Sequence, residues 1–133
     1  MQIEKKIKNI LLTLHLGLAI LWIYQGLVPK IIAKSVDEQR FWAIFSLPEQ
    51  IMFFLINIVG LAEILFGLCF LLFKNKLLIS LHYLNLFAML GLSIFVVIVH
   101  PLYFTAAFNP FVMNVAMATL SLVAIQVLKI QKI

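Results

Sequence analysis

Acidic side chains are scarce in this chain of 133 residues: five, against ten lysines and arginines, with Arg40 as the single arginine. Cysteine occurs once, at Cys69. That excludes an internal disulfide and a Cys-x-x-Cys redox pair, and with them thiol–disulfide chemistry within the chain. Charge as a whole is thin. Charged residues make up 11% and hydrophobic ones 65%, where a soluble domain has about 25% and about 45–50%. A fold this small buries only about two-thirds of the surface its unfolded chain exposes, so it has no interior large enough for so much apolar surface. The remaining solvent must be lipid. The formal charge of +5 does not signal nucleic acid. Lys5, Lys6 and Lys8, Lys74 and Lys76, and Lys129 and Lys132 sit at the ends of apolar runs, where membrane topology selects lysine.

Four such runs stand out, at Ile10 to Val28, Ile51 to Phe73, Leu77 to Val99 and Phe111 to Leu128. Each is long enough to cross about 30 Å of hydrocarbon at about 1.5 Å per helical residue. Residues 1–133 therefore read as a single all-α transmembrane domain, an antiparallel four-helix bundle. The lysine-led N-terminus continues past Tyr24 and Gln25 without a small-x-small cleavage site, so it reads as an uncleaved anchor. Seven lysines fall on one side of the membrane. Lys30, Lys34 and Arg40 fall on the other, and no basic residue stands between His100 and Pro110. The positive-inside rule then places both termini in the cytoplasm. Lys74-Asn75-Lys76 is a tight turn making the second and third spans antiparallel neighbours. Between spans one and two, Ser35-Val36-Asp37-Glu38 has the form of a capping box. Phe41, Trp42, Ile44 and Phe45 follow at the spacing of a short helix with one greasy face, which either lies at the outer interface or belongs to a loop folded back on the bundle. Ser46-Leu47-Pro48-Glu49 repeats the capping pattern before the second span.

Polar residues inside these runs need protein partners, because lipid supplies none. Glu63 is the one charge in the second run, and placing a charge at the bilayer centre costs roughly 2.5–3.5 kcal/mol on insertion scales. Gly60 and Gly67 share its helical face and admit a neighbouring backbone. Glu63 therefore points into a helix–helix contact. Similar depths make His15 its expected partner, with His82 about a turn away and Asn57 one turn further along its own helix. Glu63, His15, His82 and Asn57 form one candidate intramembrane polar site. It has three readings: structural glue, a headgroup or quinone site, or a proton relay. Tyr24, Gln25, Asn109 and Asn114 form a candidate outer polar cluster, with Asn109 capping the fourth span ahead of Pro110. His15 and His82 on different spans also suggest haem ligation, a weaker reading without a second histidine pair. No metal site and no catalytic residue are assigned.

Three stretches carry a resemblance together: Trp22 to Ile32 (WIYQGLVPKII), Gly60 to Phe73 (GLAEILFGLCFLLF) and Phe108 to Met117 (FNPFVMNVAM). Their order and spacing resemble the DoxX-like family of small four-span membrane proteins. Gly26-Leu27-Val28-Pro29-Lys30, Glu63 between its glycines, and Phe108, Asn109, Pro110 and Asn114 fall on the family's pattern. The resemblance implies a four-helix bundle in a bacterial plasma membrane. The family's functions are scattered, from quinone-linked sulfur oxidation through oxidative-stress complexes to membrane-protein assembly. With no cysteine pair and no nucleotide motif, an autonomous enzyme is not expected. The leading expectation is an accessory subunit that binds a lipid-like or quinone-like molecule, or a partner's spans, around Glu63. The alternatives are a membrane subunit of a quinone-linked oxidoreductase and a small oligomeric transporter or proton pathway. Lipids, another membrane protein or a second copy of the chain are the expected partners.

Overall fold

A computed structural model describes residues 2–107 and 109–130, and within them every regular element is helical. Phe108 and Lys132, named above, lie outside the described residues. The five α-helices are α1 (Gln2–Gly26), α2 (Val36–Ala43), α3 (Glu49–Leu72), α4 (Asn75–Val99) and α5 (Pro110–Ile130). A π-helical segment, Leu27–Ile32, continues α1, and a 3-10 segment, Pro101–Thr105, follows α4. Four stretches are long and apolar enough to cross a membrane: Gln2–Ile32, Glu49–Leu72, Asn75–Val99 and Pro110–Ile130. This is a multi-pass membrane protein.

The first span is longer than its apolar run. The helix begins at Gln2, so Lys5, Lys6 and Lys8 ride on its opening turns, and it passes through Pro29 without breaking. Proline lacks the N–H that would continue the ordinary ladder. The chain widens to π geometry there, and the Ala33 amide reaches back five residues to the Val28 carbonyl at 2.8 Å. Single π turns of this kind re-aim the side chains that follow them. Here the side chain re-aimed is Lys30, which ends up buried with 4% of its surface exposed.

Only one of the two capping signals works as one. Ser35 Oγ accepts a hydrogen bond from the Glu38 amide at 3.3 Å and caps α2. The Glu38 side chain does not return the bond as a full capping box would, because its carboxylate is drawn to Lys30. At α3 the N-cap is Pro48, with no side-chain bond, and Ser46 stands in a left-handed turn (φ 50°) rather than capping. Pro48 has no hydrogen-bonding side chain, and the turn carries Ser46 away from the helix start.

The helices pair as α1 with α3 and α4 with α5, and α1 also touches α5. The tight turn does join α3 to α4, but these two share far less backbone contact than either shares with its main partner. Leu18, Trp22, Phe70, Leu78, Leu81, Met89 and Met117 form the core where the pairs meet. Leu61, Leu65 and Leu72 of α3 and Phe87 and Ile98 of α4 lie on the outside. A soluble fold would hide such residues, and a lipid-facing helix presents them.

Candidate functional site

A close crossing of two helices builds the site. At the crossing of α1 and α3, a Cβ placed on Gly60 would lie 2.7 Å from the Gly26 carbonyl oxygen and 3.0 Å from Lys30 Cβ. Only glycine at both positions lets the backbones come this near. Lys30 follows Gly26 by one turn and Glu63 follows Gly60 by one turn, so both side chains project from the crossing on the shared face. The Lys30 ammonium lies 3.0 Å from Glu63 Oε2 and 2.8 Å from Glu38 Oε1, the latter supplied by α2. The side chains of Lys30, Glu38 and Glu63 are 5%, 17% and 15% exposed. Glu63 Oε2 is fully buried and faces the ammonium without the alignment of a hydrogen bond, so that contact is electrostatic.

This triad lines a cavity of about 230 Å³, larger than the roughly 150 Å³ that admits a benzene ring in an engineered protein core. Phe41 and Trp42 of α2, with Phe45 just after it, form one wall, and Met89, Met113 and Met117 of α4 and α5 stand among the other lining residues. Both tryptophans of the chain, Trp22 and Trp42, face it. Phe45 and Leu92, at its lining, are also exposed on the outside of the chain, so the cavity reaches the side of the molecule there. Left-handed residues at Lys34 (φ 48°) and Ser46 (φ 50°) bracket α2. The helix is held from outside by Phe41 stacked on Tyr103 at 5.3 Å, and Tyr103 donates to Asp37. Burial and that hydrogen bond push the Tyr103 phenol up, which keeps its proton available to Asp37. His100 Nε2 donates to the Arg40 carbonyl at 3.3 Å.

A second polar group lies deeper and is separate from the triad. His15 Nε2 and His82 Nε2 face each other at 3.2 Å, so one shared proton joins the two rings. Two nitrogens ligating one ion from opposite sides would stand about 4 Å apart. His82 Nδ1 meets Ser121 Oγ at 3.1 Å. Asn85 donates to Ser121 Oγ at 2.8 Å and to the Met117 carbonyl at 3.1 Å, and it accepts from Trp22 Nε1 at 2.8 Å. The chain of bonds leaves α1 at Trp22, crosses α4 and α5, and returns to α1 at His15. It is a clamp on three helices, fully paired at Asn85 as a buried polar network must be. Asn85→Ala would strip Trp22 Nε1 of its partner in the core and leave Ser121 Oγ with His82 alone. The expected loss is about 2 kcal/mol, read as a lower midpoint of thermal unfolding in detergent.

A family model described as DoxX-like family matches residues 19–122, most of the chain. The chain belongs to the DoxX-like family. No significant match was found among curated proteins or among solved structures. In this DoxX-like chain the two expected polar clusters divide differently from the sequence reading. Glu63 does not pair with His15. Its partner is Lys30, and His15 turns to His82 instead. Glu63 therefore stands apart from the two histidines with which it was grouped, and the three do not form a ladder. Asn57 is half-buried on α3 and lines neither the cavity nor the clamp. The expected outer cluster is dispersed too. Tyr24 is 60% exposed, while Gln25 and Asn114 line the cavity. Asn114 donates to Ser93 Oγ at 3.2 Å. Asn109 accepts from the Val112 amide at 3.0 Å and donates to the Ala106 carbonyl, which fixes the start of α5.

Sequence reasoning missed Lys30, Glu38, Asn85 and Ser121. Lys30 looked like a flanking lysine because it ends an apolar run. The available signal was its place one turn after Gly26, matching the place of Glu63 after Gly60. Glu38 was read as a cap alone.

Proposed function

We propose that this membrane protein is a non-catalytic binding subunit whose cavity takes a lipid-like or quinone-like amphiphile. The head would lie at Lys30, Glu38 and Glu63, and the chain would leave through the side opening past Phe45 and Leu92. The observation that carries the reading is a buried ion cluster at the wall of an otherwise apolar cavity: pockets that hold small molecules combine apolar walls with a few convergent polar groups. Structural glue alone accounts well for the His15–His82–Asn85 clamp, whose polar groups are paired with one another. It accounts less well for the triad, whose charges line open space. Family membership and the lysine distribution support a bacterial plasma membrane with both termini in the cytoplasm, and they leave room for a role beside a larger partner.

Trp22 and Trp42 make the test direct. Protein in detergent is titrated with ω-brominated dodecanol and with a decyl-chain benzoquinone, both of which quench tryptophan. At least one is expected to quench saturably, and Val59→Phe, which narrows the cavity, is expected to weaken that binding about tenfold. Quenching that rises linearly and equally in both proteins would mean partition into the micelle alone, and would end the proposal.

A further inference from the structure

The triad holds two carboxylates against one ammonium. Carrying their ordinary charges, Lys30, Glu38 and Glu63 sum to one excess negative charge in a place largely closed to water. The other charged groups in and just before α2 do not neutralise it. Asp37 and Arg40 pair with each other and with Tyr103 on the outside, and the Lys34 ammonium lies over the Phe53 ring, 5.5 Å from its centroid. Isolated charge in a low-dielectric site is costly, and an opposite charge brought close offsets it.

Resting on the cavity reading above, we infer that the occupant is a cationic amphiphile, a single apolar chain headed by a primary amine or ammonium. An anionic head would meet both carboxylates and find the Lys30 ammonium already shared between them. A neutral carbonyl head would compete for that same ammonium. An amine brings the missing positive charge and N–H donors for Glu63, whose Oε2 is buried without a hydrogen-bonded partner. The walls agree with the charge. Phe41, Trp42, Phe45 and Phe95 line the cavity, and aromatic faces attract cations within about 6 Å. Glu38 adds a consequence of position. It sits on α2, the wall helix bracketed by two left-handed residues, so a cation held between Glu38 and Glu63 would tie α2 to α3 as Lys30 already ties it to the first span.

The test compares three ω-brominated dodecyl chains alike except for the head: amine, alcohol and carboxylate. Each is titrated into the full-length protein in an uncharged detergent at neutral pH, with tryptophan quenching as the readout. The amine is expected to bind at least tenfold more tightly than the alcohol, and the carboxylate most weakly. In Glu63→Gln, and separately in Glu38→Gln, the triad becomes neutral and the amine-to-alcohol ratio is expected to fall toward one. The wild-type comparison needs neither variant, so a variant that fails to fold does not remove the test. Equal binding of amine and alcohol, or tightest binding of the carboxylate, overturns the cationic assignment and leaves the binding cavity standing. No saturable quenching by any of the three overturns the cationic assignment, and if the decyl-chain benzoquinone also fails to quench saturably the binding cavity falls with it.

Discussion

Replacing Lys30 with methionine is expected to destabilise the protein by about 3 kcal/mol and to loosen α2 from the bundle. Methionine keeps the length and apolar stem of lysine, so packing against Gly60 is little changed. The loss is electrostatic. Glu38 and Glu63 would face each other's neighbourhood with no cation between them, and removing one partner of a buried ion cluster costs about 3–5 kcal/mol. Their residual exposure of 17% and 15% places the value at the lower end of that range. Thermal unfolding in detergent would measure it, with proteolysis between Lys34 and Ser46 reporting the release of α2. The decisive comparison is Lys30→Met combined with Glu38→Gln and Glu63→Gln. With no charge left in the triad, most of the stability is expected to return, because replacing a whole buried ion cluster is often near neutral. A loss below about 1 kcal/mol for Lys30→Met alone would be that of a solvated surface pair, and would show the triad to be open to water.

The four spans were legible because lipid imposes a simple rule on a helix: enough apolar residues to cross, with charge at the ends. That same rule misread Lys30. A lysine closing an apolar run is normally a flank, and this one turns inward because the helix runs on through Pro29 as a π segment and keeps Lys30 one turn past Gly26, on the buried face. Matching of depths failed for Glu63 in a related way. His15 and Glu63 were aligned by distance from the ends of their runs, but the first span, Gln2–Ile32, extends beyond its run at both ends, which displaces every depth inferred from it. The glycines were the better guide. They were read as the face on which Glu63 meets a neighbour, and that face is where α1 crosses. Asn85 and Ser121 escaped for a different reason. Each is one of several modest polar residues in an apolar helix, and only three-helix packing shows that they complete one network.

The same crossing carries the other large prediction. Gly60→Leu is expected to cost at least 3 kcal/mol, since a side chain there meets backbone rather than a movable side chain. Its first atom alone would lie 2.7 Å from the Gly26 carbonyl oxygen, with Lys30 Cβ at 3.0 Å and Ile31 Cγ1 at 3.1 Å. Overfilling a packed site typically costs about 1–3 kcal/mol. Here the only relief is to push α1 and α3 apart, which also draws Lys30 from Glu63. Gly91→Leu provides the control. A side chain at Gly91 would meet nothing within 4 Å, and the position is exposed on α4. It should be neutral, or stabilising by a few tenths of a kcal/mol through helix propensity. Unfolding midpoints of the two variants should therefore move in different directions or by very different amounts. The Gly60→Leu protein should also lose the amine selectivity of the cavity, because the triad is held together only by the closeness of the two backbones. If Gly60→Leu matched Gly91→Leu in both measurements, the crossing would not be the structural origin of the site. Loss of stability with selectivity intact would instead mean that Lys30 and Glu63 find each other without it.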